Sequence, residues 1–391
     1  MTKEIIILGS TGSIGKTILK IINNNKKNFK IKLLTTNNNI SLIYSQAIKF
    51  KVNNVVIKNA YKYKKNKKKF INRNIKVFFK IKDAVKQFRK KVYYTINGIS
   101  GIGGLEPTID VIPHTKNIAI ANKESIICGW NFINKSLIKF KTNFIPIDSE
   151  HFSICSLLKG ENINNINKIY LTASGGPFLN KKKSEIKNIK AIHAIKHPNW
   201  IMGKKISIDS ATMMNKIFEL IEAVKIFKLN INKFKIIIHP KSYIHAIIQF
   251  NTGISKMLVH ETSMEIPIFN SIYQNNGKNI YSNKQFDFKN LNGLNFIEPD
   301  DKQFLCLKLL KYIKIKNTYF EIILVSINDE LVKKYLNDQI SFISVQKNLL
   351  KLIKHPYFTK YYNQIPNNLN DIQTMVEKVN TYLNKIKLNE N

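Results

Sequence analysis

The sequence has little glycine, proline and cysteine, and acidic residues are scarce beside basic ones. It holds 15 glycines, 10 prolines and three cysteines in 391 residues. The cysteines Cys128, Cys155 and Cys306 are odd in number, and their spacing fits neither a disulfide framework nor a zinc motif, which favours a reducing compartment. No apolar run approaches the roughly 18–20 residues that span a bilayer, so no membrane-spanning segment is expected.

The rest of the composition is that of a folded protein. Hydrophobic residues make up 44% of the chain, which excludes wholesale disorder. At roughly 150 residues per domain, the length suggests two or three domains. An apolar strand follows Met1 to Glu4 directly and leaves no room for a signal or transit peptide, so we expect a cytoplasmic protein.

The shortage of acidic residues leaves 63 basic against 25 acidic side chains, a formal net charge of +38. Such an excess is typical of proteins that bind nucleic acid or anionic membranes. The alternative is compositional bias, because lysine, asparagine and isoleucine are all abundant and the basic residues are scattered without a groove-reading motif. We favour this alternative and predict no specific nucleic-acid partner, with the lysine-rich segment 62–69 as a solvated helix or loop.

Strand and helix patterns alternate through the first part of the chain. Short apolar runs predict strands at 5–8, 30–34, 54–58, 93–97, 117–121 and 144–147. This alternation predicts an α/β fold with a Rossmann-like parallel sheet. The expected domains are a nucleotide-binding domain (1–147), an α/β catalytic domain with a lid loop (148–273), a linker (274–299) and a C-terminal helical domain (300–391).

Three glycines, Gly9, Gly12 and Gly15, follow the first strand and precede a helical pattern. Glycines let the backbone approach a pyrophosphate, and the helix N-terminus offers N–H groups to it. The turn therefore predicts a dinucleotide site, although a tight structural turn is the alternative. Residues 30–39 contain no carboxylate to hold a ribose 2′-hydroxyl, which favours NADP over NAD, but they contain no arginine either.

Two carboxylates, Asp148 and Glu150, stand at the end of an apolar strand. In an extended chain, residues i and i+2 share one face, so both side chains can point at one cation. Oxygen ligands suit a hard metal such as Mg²⁺ or Mn²⁺. The alternative is a solvated strand end at which Ser149 caps a helix.

A polar stripe marks the segment 207–223. We predict a helix from Ala211, with Asp209 or Ser210 as its N-cap. Glu219 or Glu222 is then a candidate third metal ligand, and an ordinary amphipathic helix with an exposed charged face is the alternative. The candidate ligands for an anionic group beside the metal are Ser210, Asn215 and Lys216.

Two further segments predict a phosphate site and a lid. The turn 174–178 follows a strand and carries Ser174 and two glycines, whose backbone N–H groups can form an anion-binding concavity. The loop 196–203 contains Trp200 and predicts a lid that excludes water, while a surface loop packed on its own domain is the alternative. His197 is a candidate phosphate donor, although a lone histidine is more often structural.

Taken together and in order, these strings resemble the 1-deoxy-D-xylulose 5-phosphate reductoisomerase family of the non-mevalonate isoprenoid pathway. The resemblance rests on the glycine turn and on further strings spread over nearly the whole chain. These strings are 101–108, 121–125, 148–151, 174–178, 197–203, 209–222, 239–245 and 328–330. The resemblance implies that 1-deoxy-D-xylulose 5-phosphate is rearranged to a branched aldehyde, which NADPH reduces to 2-C-methyl-D-erythritol 4-phosphate.

The resemblance also implies residue roles and a homodimer. Asp148, Glu150 and Glu219 would bind Mg²⁺ or Mn²⁺, and Lys123, Glu150 and His197 would take part in catalysis. The implied ligands of the phosphorylated sugar are Ser149, Glu150, Ser174, His197, Ser210, Asn215, Lys216 and Glu219. The implied NADPH ligands are Thr11, Gly12, Ser13, Ile14, Asn37, Asn38, Asn39, Asn122, Lys123, Glu124 and Gly203.

The chain departs from the family pattern at a few places. Asn37-Asn38-Asn39 stands where the family commonly has a glycine and often a basic residue, and Ile217 stands where a small glycine is common. Thr262, Ser263 and Glu265 replace a proline, an aspartate and an arginine. A different dinucleotide-dependent oxidoreductase is the competing enzyme hypothesis, but it would not need the three carboxylates.

Overall fold

The computed structural model describes residues 2–186, 189–274 and 287–388. Contacts divide the chain into two compact units. The first unit contains the described residues up to Ile126, Trp130–Asp148 and the segment that begins at Met264. The second contains Ile127–Gly129, Ser149–Ser263 and the described residues from 287 onward.

The first unit is built on a seven-stranded parallel sheet with the strand order β4-β3-β2-β1-β5-β6-β7. Its strands are β1 (Lys3–Leu8), β2 (Phe29–Thr36), β3 (Asn54–Ile57), β4 (Lys76–Phe78), β5 (Val92–Asn97), β6 (Thr115–Ile120) and β7 (Asn143–Pro146). The helices between these strands are α1 (Ser13–Asn23), α2 (Ile40–Lys49), α3 (Ala60–Ile71), α4 (Ile81–Val85), α5 (Leu105–Val111) and α6 (Lys123–Lys139).

The central strands are buried on both faces, which explains their continuous apolar runs. Ile5, Ile6, Ile7 and Leu8 of β1 are fully buried. A late helix of the chain, residues 265–273, adds Ile268 and other apolar side chains to this core. A segment far away in sequence therefore completes the hydrophobic core of the first unit.

The second unit combines a four-stranded mixed sheet with helices. The sheet order is β11-β10-β8-β9, in which β8 and β9 are parallel and β10 is antiparallel to both β8 and β11. Its strands are β8 (Ile166–Ala173), β9 (Phe234–Ile238), β10 (Ile244–Phe250) and β11 (Ser255–Val259). The helices from Ser149 onward are α7 (Ser149–Leu157), α8 (Lys183–Ile186), α9 (Ala191–Ala194), α10 (Lys204–Ala211), α11 (Met214–Phe227), α12 (Glu265–Tyr273, in the first unit), α13 (Tyr319–Leu336), α14 (Phe342–Ile353), α15 (Pro356–Thr359) and α16 (Leu369–Lys385).

The predicted fold class is confirmed, with a parallel Rossmann-like sheet, a second α/β region and a helical C-terminal region. The lysine-rich segment 62–69 lies in helix α3, and most of its side chains are exposed. The predicted division into domains stays a prediction. Part of the predicted linker, 275–286, lies outside the described residues, and its described remainder pairs Ile297 with Ile238.

One helix prediction was wrong. Asp209 and Ser210 do not cap a helix that begins at Ala211, because both lie inside α10. The chain turns at Met213, which has φ +65°, and α11 begins at Met214. The Asp209 carboxylate accepts a hydrogen bond from Asn328 Nδ2 of a distant helix at 2.8 Å and pairs with Lys205 Nζ, one turn earlier in α10, at 2.9 Å, so these partners replace the capping role.

No helix in the described part of the chain combines the length and the apolar character needed to cross a bilayer.

Candidate active site

The glycine turn sits where strand order reverses in the first sheet. After β1 the chain builds β2, β3 and β4 on one side and then β5 on the other, so the ends of β1 and β5 flank a crevice. A Cβ atom on Gly9, which has φ +74°, would lie 2.9 Å from the carbonyl oxygen of Gly98 after β5. At Gly15 it would lie 2.4 Å from the Gly9 oxygen. Only glycine permits this packing.

The turn is also tied to the end of β2. Gly9 N donates to Thr35 Oγ1 at 2.8 Å, and the hydroxyls of Thr11 and Thr36 lie 2.9 Å apart. The N-cap of α1 is Gly12, so no capping side chain occupies the first-turn N–H groups of Ser13 and Ile14. The structure thus brings the turn 11–14 beside the loop 37–39 that follows β2, as a dinucleotide site requires.

Asn122 joins the loop after β5 to the start of α6. Its Oδ1 accepts the N–H of Ser125 at 2.8 Å as an N-cap, and its Nδ2 donates to the carbonyl oxygen of Gly101 at 2.5 Å. The next residue, Lys123, is buried and its Nζ lies 2.9 Å from Asp148 Oδ2. Glu124 is buried as well, so three predicted cofactor residues form the first turn of one helix.

The three predicted metal ligands come together. One carboxylate oxygen from each of Asp148, Glu150 and Glu219 lies within 4.8 Å of the other two. Lys216 Nζ lies 2.5 Å from Glu150 Oε1 and also contacts Glu219 Oε2. Burial alone lowers the pKa of Lys216, but the two carboxylates outweigh it and raise that pKa. The position between Glu150 and Glu219 therefore holds a positive charge.

Asp148 and Glu150 converge for a different reason than predicted. They do not alternate along an extended strand, because α7 begins at Ser149 and Glu150 lies in its first turn. Carboxylates are stabilised at that end of a helix. Ser149 Oγ donates to Glu150 Oε2 at 2.6 Å, which orients the carboxylate.

Helix α11 is buried along nearly its whole length, so the alternative of an exposed charged face is wrong. Glu219 and Glu222 are 1% and 2% exposed. Asn215 Nδ2 donates to Glu219 Oε1 at 2.5 Å. The helix thus carries Asn215, Lys216 and Glu219 as one connected polar group.

Sequence reasoning missed His151, which fixes the position of Glu219. Its Nε2 lies 2.8 Å from the carbonyl oxygen of Glu219, and its Nδ1 lies 3.6 Å from Glu222 Oε2. One ligand atom from each of Asp148, His151 and Glu222 also lies within 4.8 Å of the other two. The available signal was position, since His151 follows Glu150 directly.

The phosphate candidates Ser174 and His197 are hydrogen-bonded to each other. His197 Nδ1 accepts the N–H groups of Asn199 and Trp200 at 3.1 and 3.0 Å, so the ring proton sits on Nε2 and is donated to Ser174 Oγ at 2.8 Å. Ser174 Oγ also accepts Gly176 N at 3.1 Å. Burial, with a smaller contribution from the Lys216 charge, lowers the pKa of His197 to about 4.

Ser210 is brought close to the same turn. A Cβ atom on Gly176, which has φ +69°, would lie 3.2 Å from the Ser210 carbonyl oxygen. The predicted lid residue Trp200 packs edge-to-face against His245, with ring centroids 5.8 Å apart. Gly203, predicted to contact the cofactor, is the N-cap of α10 in the second unit.

Comparison with known proteins identifies one family. A family model described as 1-deoxy-D-xylulose 5-phosphate reductoisomerase matches residues 5–129, and two models for C-terminal domains of this enzyme match residues 144–227 and 260–382. The protein of that name from Pelagibacter ubique is 50% identical over 388 residues, which is 99% of this chain and 100% of its own. The one from Wolbachia pipientis of Culex pipiens is 37% identical and covers 95% and 94% of the two chains.

Solved structures agree with these relatives. The 1-deoxy-D-xylulose 5-phosphate reductoisomerase from Zymomonas mobilis in complex with NADPH has a TM-score of 0.86 at 28% identity and covers 97% of this chain and 98% of its own. A DOX-P reductoisomerase in complex with NADPH, fosmidomycin and magnesium has a TM-score of 0.90 at 28% identity, with coverage of 98% and 97%.

Proposed function

The chain belongs to the 1-deoxy-D-xylulose 5-phosphate reductoisomerase family, and from this premise we propose that it is an NADPH- and divalent-metal-dependent oxidoreductase. Its reaction is the rearrangement of 1-deoxy-D-xylulose 5-phosphate and the reduction of the product to 2-C-methyl-D-erythritol 4-phosphate. This reaction belongs to isoprenoid precursor biosynthesis.

The observation that carries the proposal is the convergence of Asp148, Glu150 and Glu219. Three carboxylate oxygens fit a hard divalent cation such as Mg²⁺ or Mn²⁺, and the Lys216 ammonium beside Glu150 and Glu219 supports the assignment of a positive charge to this position. When bound there, the cation supplies Lewis acidity to the carbonyl and hydroxyl oxygens of the substrate.

The phosphate group is assigned to side chains of the second unit. Ser174 Oγ accepts two hydrogen bonds, so its own proton is the one that a phosphate oxygen would receive. Lys216 brings a buried positive charge to the same region. The other proposed sugar ligands are Ser149, Ser210 and Asn215.

The predicted catalytic residues differ in what they can do. Glu150 is oriented by Ser149 and would be one ligand of the cation, and Lys123 Nζ forms an ion pair with Asp148 Oδ2 at 2.9 Å. With its pKa near 4, His197 is neutral at physiological pH, so we assign to it the orientation of Ser174 rather than proton donation. Its direct part in catalysis stays a prediction.

The NADPH pyrophosphate is assigned to the turn 11–14, whose N–H groups open α1. The remaining proposed cofactor ligands are Asn37, Asn38, Asn39, Asn122, Lys123, Glu124 and Gly203. The homodimer and the cytoplasmic location also stay predictions, which sedimentation of the purified chain and imaging of a tagged chain would test.

The test is the loss of NADPH absorbance in a mixture of protein, 1-deoxy-D-xylulose 5-phosphate and Mg²⁺. We expect NADPH oxidation only when the sugar phosphate and the cation are both present, and no oxidation after chelation until excess Mn²⁺ is added. Oxidation that continues undiminished in chelator would contradict the metal-dependent proposal, and no oxidation under any condition would contradict the activity.

A further inference from the structure

The loop after β2 lacks a basic side chain of its own. It reads Asn37-Asn38-Asn39, and all three residues are exposed. In a dinucleotide fold this loop lies beside the ribose 2′ position of the adenosine. A 2′-phosphate carries close to two negative charges and is normally bound by a basic group, so a neutral loop alone leaves that charge uncompensated.

A lysine from the next helix reaches this loop. Lys62, in the first turn of α3, donates from Nζ to the carbonyl oxygen of Asn38 at 2.8 Å. An ammonium has three N–H donors, so this bond leaves two of them for another acceptor. Among the described residues, Lys62 forms no ion pair with a carboxylate, and its charge is therefore not neutralised by the protein there.

The loop presents hydrogen-bond donors rather than acceptors. Asn38 Oδ1 accepts from Asn59 Nδ2 at 3.0 Å, and Asn39 Oδ1 caps α2 by accepting the N–H of Leu42 at 3.1 Å. Because both side-chain oxygens are engaged, the Nδ2 groups of Asn38 and Asn39 are the ends that can donate to an anion. Together with Lys62, they form a donor group suited to phosphate.

We propose that Lys62 supplies the positive charge that binds the 2′-phosphate of NADPH and makes this chain prefer NADPH to NADH. The proposal rests on the proposed function, since it assigns one subsite of the cofactor. Asn59, the N-cap of α3, supports it by fixing Asn38 and the first turn of the helix from the same side.

The test is a binding experiment with Lys62→Gln and with Lys64→Gln, a matched control at an exposed position of the same helix. Dissociation constants are measured by calorimetry for NADPH, NADH, 2′,5′-ADP and 5′-AMP. For Lys62→Gln we expect about tenfold weaker binding of NADPH and 2′,5′-ADP and less than about twofold change for NADH and 5′-AMP. Lys64→Gln should resemble the wild type with all four probes.

A second variant, Asn38→Asp, places a carboxylate beside Lys62. It should weaken NADPH binding at least as much as Lys62→Gln and weaken NADH binding by a clearly smaller factor, because the repulsion by the new charge is largest at the 2′-phosphate. Equal weakening of NADPH and NADH by Lys62→Gln, or an equal NADPH loss in Lys64→Gln, would overturn the assignment. A wild-type chain that binds no NADPH would instead overturn the proposed function.

Discussion

The two candidate sites of this chain are built from different materials. The nucleotide turn of the first unit consists of glycines, backbone N–H groups and threonine hydroxyls around Gly9. The ion pairs of Glu150 and Glu219 in the second unit depend on buried charges, with Lys216 bonded to Glu150 across 66 positions of sequence. Neutral groups can be packed without a charge partner, whereas buried charges require one. Substitutions should therefore act mainly through uncompensated charge in the carboxylate site and mainly through steric clash in the nucleotide turn.

The largest effect is expected at Glu219. Glu219→Gln removes one negative oxygen ligand, and we expect kcat with Mg²⁺ to fall by at least about 100-fold. The control is Glu298→Gln, because the Glu298 side chain is 75% exposed and lies outside the group. Steady-state kinetics at limiting Mg²⁺ measure both variants. Full activity of Glu219→Gln at limiting Mg²⁺ would show that Glu219 is not a metal ligand.

Removal of the buried Lys216 ammonium should lower the free energy of unfolding, and a bound metal ion should restore part of it. Lys216→Met leaves Glu150 and Glu219 side by side without compensation, which we expect to cost about 3–5 kcal/mol in the free energy of unfolding. Added Mn²⁺ should recover much of this loss, because the metal supplies the missing positive charge. Chemical denaturation with and without Mn²⁺ measures both effects. A variant as stable as the wild type in chelator would show that the pair is not charge-compensated by Lys216.

A substitution in the neutral site should act through sterics. In Gly15→Ala the new Cβ atom would meet the Gly9 oxygen and Ser10 Cα at 2.4 Å, so the turn must shift, at about 1–3 kcal/mol. NADPH binding should be lost while Mn²⁺ binding stays unchanged. Gly103→Ala is the matched control, because a Cβ atom there meets nothing within 4 Å. Calorimetry measures NADPH and Mn²⁺ binding separately. A loss of Mn²⁺ binding together with NADPH binding in Gly15→Ala would contradict the independence of the two sites.

The smallest expected effect is a pH dependence concentrated in the second unit. Burial lowers the pKa of His197, His239, His245 and His260 below the usual 6.5. At a pH between the lowered pKa in the folded chain and the ordinary pKa of about 6.5 in the unfolded chain, the unfolded chain binds more protons than the folded one. The stabilising contribution of these histidines is therefore fully present above about pH 6.5 and decreases as the pH drops. The melting temperature should decrease by several degrees from about pH 7.5 to 5.5.

One variant identifies a source of this pH dependence. His245→Phe keeps a ring in the stack against His260, whose centroid lies 3.8 Å away, but removes a titrating group. Its melting temperature should fall less over the same pH interval than that of the wild type. The exposed His193→Gln is the control and should follow the wild type. An identical pH response in all three proteins would rule out His245 as a contributor.

The first unit could be predicted largely from sequence, because its signals are local. The apolar run of β1 and the glycines after it lie within 15 residues of the chain start, and both were found where expected. The boundaries of the predicted strands moved by at most two residues at either end, as β2 shows, where the structure extends the predicted 30–34 to Phe29–Thr36. The helix α12 was not assigned to this core, because no local pattern reports a contact with residues more than 200 positions away.

The site residues of the second unit could be predicted less well from sequence, because their positions depend on tertiary contacts. Asp209 looks like an N-cap, but its bond to Asn328 Nδ2 comes from α13 and cannot be read from neighbouring residues. The residues alone left Glu219 and Glu222 equivalent, and the resemblance to a family chose between them. The structure distinguishes the two, since Glu219 shares the Lys216 ammonium with Glu150, whereas Glu222 Oε2 lies 3.6 Å from His151 Nδ1. Lys62 could not be distinguished from the neighbouring lysines either, because its bond to the Asn38 carbonyl oxygen is a tertiary contact.

The most direct test of the proposed metal centre is Mn²⁺ binding to the wild type and to Glu219→Gln, measured from the electron paramagnetic resonance signal of the free ion. In this proposed centre, Asp148, Glu150 and Glu219 supply the ligands of the metal on which the reaction depends. We expect one Mn²⁺ per wild-type chain and at least about tenfold weaker binding in Glu219→Gln. Equal affinity in the two proteins, or no Mn²⁺ binding by the wild type, would contradict it.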